Sequence, residues 1–383
     1  MLISTIKSLK NTSLLMAAGI LSTSFFTASC TKDKPEDLTK PKTEVPTQYS
    51  FENVAYGGQT VRLLLIRDLV AKVEEAKTMP VTAAALVSIY ENTGGQYTEI
   101  SANKKLSDKV ATPADDAQLR AWFDSVEVNS KAGKGVILSN GLDLKHAIEK
   151  TLMGTLIYHR AVNDYLKKSA AADNNTVTPG EGTKMQHGWD EAFGYFGAAR
   201  DYNNYTDAQI ITPGEKDSDG DGKIDVKSEK NFYYAQTAAK RDVGSATFAT
   251  GSQSDFTKAM FDAFLAGRSG IDKKEYATRD ESINTILTNW DKLIAATVVH
   301  YINDVKKDKA SGNANLNTHW TEMLGYFWMI SYNPDKKLTN TQVSELNTLF
   351  GNNVNDITTE KLNSAAAILK ASYGFTDQQI QSW

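Results

Sequence analysis

The chain has 383 residues, a formal net charge of −4 and one cysteine, Cys30. With 41% hydrophobic and 23% charged residues it has the balance of a folded globular protein, enough for one large core or two smaller ones. The mild acidity argues against nucleic acid, which needs concentrated basic surface; a lone thiol excludes an intramolecular disulfide, a zinc ribbon and a redox CxxC pair.

Lys7 and Lys10 precede an uncharged apolar run from Leu14 to Phe26, and Thr27-Ala28-Ser29-Cys30 then places small residues before the thiol. This is the layout of a bacterial lipoprotein signal over residues 1–29, cut before Cys30 with lipid added to its sulfur. The run is shorter than the roughly 20 residues needed to span a bilayer, so anchoring by lipid is expected rather than by a helix. Residues 30–48 are rich in charge and proline and read as a flexible tether.

From Tyr49 to Val61 the pattern predicts an extended lead-in closed by a turn at Gly57-Gly58. Helical periodicity follows: residues 61–78 place Leu63, Leu64, Ile66, Leu69, Val70 and Val73 on one broad face, and residues 81–90 repeat the pattern. Pro113-Ala-Asp-Asp opens a further helix, with acids in its first turn and Trp122 and Phe123 as anchors. The longest pattern runs from Gly141 to Lys168, and a counterpart runs from Ile283 to Lys307. Helices are also expected over 254–266, 341–350, 358–373 and 376–383. Alternating, β-branched strand patterns are scarce, so the expected fold is all-α.

Each long pattern leads through a polar loop into a related segment. His187-Gly-Trp-Asp-Glu-Ala-Phe-Gly-Tyr-Phe196 and His319-Trp-Thr-Glu-Met-Leu-Gly-Tyr-Phe327 share Trp-x-Glu-x-x-Gly-Tyr-Phe when aligned on Trp189 and Trp320. The repetition predicts a helical bundle with two pseudo-repeated halves, about 49–250 and 251–383. On a helical wheel Trp189, Phe193 and Phe196 share one face, as do Trp320, Leu324 and Phe327. Glu191 and Tyr195, and Glu322 and Tyr326, fall opposite, on the same side as His187 and His319. Metal or anion ligation is one reading of these His/Glu pairs, because His and Glu one turn apart recur in helical-bundle metal centres. The other reading has the aromatics in the core, the Glu and Tyr side chains bonding neighbouring loops, and Gly194 and Gly325 admitting close helix approach; it is favoured because the two histidines are out of register by one residue. His146-Ala-Ile-Glu149 is a third pair at this spacing.

Asp217-Ser-Asp219-Gly-Asp221-Gly222-Lys223-Ile224-Asp225 carries the sharpest chemical pattern. Carboxylates at loop positions 1, 3, 5 and 9, glycine at 6 and an aliphatic residue at 8 match an EF-hand-type loop. Asp217, Asp219, Asp221, the Lys223 carbonyl and Asp225 are the expected Ca²⁺ ligands, in a structural role. Position 12 is Ser228, with Glu229 one place later. No Gly-x-Ser-x-Gly elbow, P-loop, His-Glu-x-x-His or dinucleotide fingerprint occurs, so no catalytic residue is assigned.

Tyr49-x-Phe-x-x-Val with Gly57-Gly-Gln-Thr-Val-Arg-Leu, Ile148-Glu-Lys-x-Leu-Met-Gly154 and the two Trp-x-Glu segments resemble the Bacteroidota lipoproteins of domain of unknown function 4856. His146-x-x-Glu149 is similar to part of the Gly-x-His-x-x-Glu motif of imelysin-type exported proteins, with Leu144 in the glycine's place. The resemblance implies an outer-membrane lipoprotein, on the cell surface or periplasmic face, that serves as a binding or uptake accessory beside an outer-membrane receptor. Iron or haem is the implied cargo. The alternatives are a glycan- or nutrient-capture lipoprotein, which six tryptophans and sixteen tyrosines would suit, or an enzyme acting on cell-surface polymers.

Overall fold

Recurrent Thr-x-x-Gln or Thr-x-x-Asp boxes punctuate the chain and start its helices. In the computed structural model, which describes residues 44–244 and 249–383, such boxes open five helices. In each, the threonine side chain accepts the backbone N–H three residues on, and the Gln or Asp at that position reaches back to the cap. The leader, Cys30 and the tether as far as residue 43 lie outside the described residues.

The fold is all-α, with no strand among the described residues and only isolated bridges such as Glu215–Lys230. Helix α1 spans Gly57–Glu75, α2 Ala83–Tyr90 and α3 Pro113–Lys131. Helix α4, Leu144–Leu152, runs on with the wider π hydrogen-bonding pattern through Met153–Tyr158 and Arg160–Lys168. Then come α5 (Lys184–Phe196), α6 (Asp207–Ile211), α7 (Tyr233–Arg241) and α8 (Phe256–Lys273). Helices α9 (Tyr276–Ser311), α10 (Leu316–Ile330), α11 (Asn340–Phe350), α12 (Thr359–Tyr373) and α13 (Asp377–Ser382) complete the chain.

Two expectations shift. Gly57 and Gly58 do not form a turn but begin α1, whose first N–H groups, from Gln59 and Thr60, close on the Tyr56 carbonyl. Helices α6 and α7 were not signalled by periodicity; α7 shows a core helix of alanines between aromatics, with Tyr234, Ala235 and Ala238 fully buried.

The 36-residue helix α9 forms the spine, packing on α8, α10 and α12. Trp290 on α9, Trp189 on α5 and Trp320 on α10 are buried in one continuous apolar core. Residues Val45–Trp383 make up a single compact unit. The extended segment before α1 is tied into it: Tyr49 is fully buried, stacked on Phe193 at 3.8 Å, and donates its hydroxyl to Asp190 at 2.6 Å. Asp190 in turn accepts from Arg268 of α8 at 2.9 Å, both side chains being wholly inaccessible to water. Burial pushes the Asp190 carboxyl up to about 6, against the opposing pull of Arg268.

The wheel argument separated an apolar from a polar face on the twin segments, yet the tyrosines of the polar face are buried too, while His187, Glu191 and His319 keep partial exposure. Tyr195 and Tyr326 are nearly as enclosed as the tryptophans, because α5 and α10 have neighbours packed over most of their surface. The tryptophans play matching parts: Trp189 donates its indole N–H to the Phe264 carbonyl and Trp320 to that of Phe350. The glycines also act as expected. A Cβ on Gly325 would lie 2.3 Å from the Lys150 Cβ of α4, and one on Gly194 would lie 2.6 Å from that of Tyr56.

Candidate functional site

The acidic loop is closed at its base by the Glu215–Lys230 bridge and by Lys216 N–H donating to the Glu229 carbonyl at 3.2 Å. Inside it the carboxylates turn the backbone on itself. Asp217 accepts from the N–H groups of Gly220 and Gly222 at 2.7 and 2.8 Å, Asp219 from Asp221 at 3.0 Å, and Asp221 from Lys223 at 2.8 Å. Asp225 accepts from Lys227 N–H and the Ser228 hydroxyl. Glu229, 5% exposed, reaches up through the loop to accept from Ser218 and Asp225 N–H groups at 2.7 and 2.8 Å.

One oxygen each from Asp217, Asp219 and Glu229 lies within 4.8 Å of the others. Of the expected ligands, then, Asp217 and Asp219 come together, while Asp221 and Asp225 serve backbone turns of their own. The third carboxylate is Glu229. Its place one residue past position 12 is the signal that marks it, and its burial gives the cluster a fixed floor. Hard oxygen donors of this kind suit Ca²⁺.

The His/Glu pairs meet other fates. At the α4–α10 contact, His146, Glu149 and Glu322 do converge, with His146 Nδ1 3.5 Å from Glu322 and 3.8 Å from Glu149. Between the two carboxylates lies the buried Lys150 ammonium, 2.9 Å from Glu149 and 3.4 Å from Glu322. It fills the place where a metal bridging them would sit. Burial opposes the charge on Glu322, but Lys150, His146 and the Tyr301 hydroxyl at 2.9 Å outweigh it and hold the carboxyl well below its usual range. Burial likewise opposes the Lys150 charge; Glu149, Tyr326 and Glu322 override it, and the ammonium is held more firmly than usual. Sequence reasoning passed over Lys150, although its place one residue after Glu149 is visible.

His319 does not join Glu322. It bonds Asp308 at 2.6 Å, and His146 of α4 takes the position beside the glutamate. In the first segment His187 stays 3.8 Å from Glu191, which accepts from Gln59 of α1 at 2.6 Å. Glu191 and Glu322 thus have separate partner sets and share no residue. His300, paired with Asp304 at 3.2 Å, is pushed down to about 3 by burial and by Arg241, so its ring is neutral at physiological pH.

Two carboxylates, Asp291 buried and Asp242 half-buried, had no sequence signal. Asp242 accepts from the Phe256 and Thr257 N–H groups that open α8, and burial pushes it up to about 7. Asp291 accepts from Lys337 N–H at 2.9 Å and the Tyr373 hydroxyl at 3.0 Å, and burial raises it too. A cavity of about 680 Å³ lies between α3, the π stretch and the end of α10, bounded by His159, Asn163, Trp328 and Tyr332.

An all-α protein with a carboxylate loop and salt-bridged inner helices is the class these features define. The chain belongs to the family described as Domain of unknown function (DUF4856), whose model matches residues 126–376 and takes in the loop and both Trp-x-Glu segments. No match is found among curated proteins or among solved structures.

Proposed function

We propose that the chain is an outer-membrane-anchored lipoprotein of Bacteroidota, a binding or uptake accessory of the imelysin-like kind, whose acidic loop holds a structural Ca²⁺. The gathering of Asp217, Asp219 and Glu229 carries the calcium reading. Anchoring rests on the signal ending at Cys30 and accords with the finding that no helix among the described residues is long and apolar enough to cross a membrane. Labelling cells with a palmitate analogue tests it: the full-length protein takes up label and Cys30→Ala does not, whereas equal labelling of both defeats the anchor.

Iron or haem is the cargo suggested by the setting. His146, Glu149, His187, Glu191, His319 and Glu322 are its sequence-level ligands, and Glu149, Glu191 and Glu322 would each have to exchange a protein partner for the metal. Aerobic loading of full-length protein with Fe(III) or haem, followed by calorimetry and absorbance, decides the matter: no saturable binding removes this cargo. Capture of a glycan is the second reading, favoured by the stacked, half-buried pair Trp122 and Trp328, with ring centroids 6.2 Å apart, beside the 680 Å³ cavity.

A further inference from the structure

The cavity beside Trp328 has a wall chemistry that narrows what it can hold. Its carboxylate is already satisfied: Asp115 accepts from the Tyr332 hydroxyl at 2.6 Å, from Thr155 at 3.0 Å and from its own capping threonine, Thr112, at 2.7 Å. These donors are neutral hydroxyls and no ion pair among the described residues involves Asp115, so the cavity wall carries a negative charge there that disfavours an anionic ligand. The His159 ring is half-buried, and desolvation with Arg160 nearby lowers its proton affinity, which leaves a neutral imidazole. Its Nδ1 is 3.2 Å from the Asn163 amide nitrogen, which also donates to the Tyr332 carbonyl at 2.9 Å. That arrangement leaves His159 Nε2, the Asn163 side-chain oxygen and the Trp328 indole N–H without a hydrogen-bond partner among the described residues. None of the three is a sealed, orphaned atom, so each is open to a ligand.

Aromatic surface from Trp328 and Tyr332, backed by Trp122, thus combines with uncharged donors and acceptors around about 680 Å³. Sugar rings have the matching character: apolar C–H faces that lie on aromatic rings, and hydroxyl edges that both donate and accept. We infer that this groove binds a short stretch of neutral glycan, with Trp328 and Tyr332 as the stacking surface and His159, Asn163 and the Trp328 indole as the hydrogen-bonding rim. The inference rests on the capture reading, and within it names the site and the class of cargo.

The test titrates full-length protein with maltohexaose, cellohexaose, xylohexaose, laminarihexaose, mannohexaose and the acidic hexagalacturonate, by calorimetry and tryptophan fluorescence. At least one neutral member should bind and shift the fluorescence. Trp328→Ala should weaken that binding about tenfold, in line with loss of one aromatic contact. His159→Ala should weaken it roughly threefold to tenfold, as for one lost hydrogen bond. Trp328→Phe, which keeps a ring and loses only the indole N–H, guards against a folding defect and should fall between Trp328→Ala and wild type. Failure of every neutral hexasaccharide, binding unchanged in Trp328→Ala, or preference for hexagalacturonate would each overturn the inference. So would a haem Soret band that disappears in His159→Ala. Calcium binding and palmitate labelling, measured on the same preparations, report separately on the broader reading.

Discussion

Glu322 shows how a residue that looks like a ligand can be spent on structure. Its carboxylate neutralises the buried Lys150 ammonium that Glu149 also holds, and it ties Tyr301 of α9 to α10. Removing one partner of such a buried pair leaves uncompensated charge, so Glu322→Gln should cost about 3 kcal/mol at pH 7 in urea unfolding. The sign with pH follows from a folded value held below the unfolded one: the contribution is complete above the unfolded glutamate value of about 4.3 and fades as pH falls beneath it. The gap between wild type and Glu322→Gln should therefore narrow in acid. A gap that stayed constant from pH 7 to 3 would contradict the assignment. Gly325 stands against the same lysine, and Gly325→Ala should destabilise by about 1–3 kcal/mol through overpacking, read as a lowered urea midpoint with an unchanged slope.

At the scale of elements, helix α5 shows what sequence reveals and what it conceals. Its start was not read, although Thr183 and Gln186 form a capping box; Thr183→Ala should cost about 1 kcal/mol, measured by thermal melting, and also frees Asn174 from its 2.7 Å bond with the threonine. Its Trp189–Phe193–Phe196 face was legible from periodicity. The burial of the opposite face was not, because a wheel shows which residues share a side but not how many neighbours surround the helix. The π stretch from Met153 escaped notice for a related reason: a wider hydrogen-bond pattern barely changes apolar spacing. Helix α7 escaped because alanine, the best helix former, leaves little periodic contrast.

The histidines teach a similar lesson about sites. Local spacing put His319 and Glu322 on one side of a helix, yet the histidine beside Glu322 is His146, far away in sequence. Long-range pairing of this kind is set by how α4 and α10 cross, and no local motif encodes it. The acidic loop is the opposite case. Its clustered carboxylates lie within thirteen consecutive residues, so sequence found Asp217 and Asp219, but it also placed Asp221 and Asp225 among them and left Glu229 out.

For the whole molecule, calcium is expected to act as a clip rather than as a catalyst. The loop joins the end of α6 to the start of α7, and Glu229 fixes it through backbone N–H groups on both sides. An ion that binds the folded state alone stabilises it by mass action, about 1.4 kcal/mol at ten times the dissociation constant. A chain of this size should then melt roughly 2 °C higher in saturating Ca²⁺ than in chelator, and Asp217→Asn should abolish the difference. The most direct test of the calcium reading is calorimetric titration of Ca²⁺ into metal-free full-length protein. One saturable site is predicted, with a dissociation constant on the order of 10⁻⁴–10⁻³ M as in extracellular calcium modules, and lost in Glu229→Gln. The absence of saturable heat, or the same isotherm in Glu229→Gln, would contradict the account.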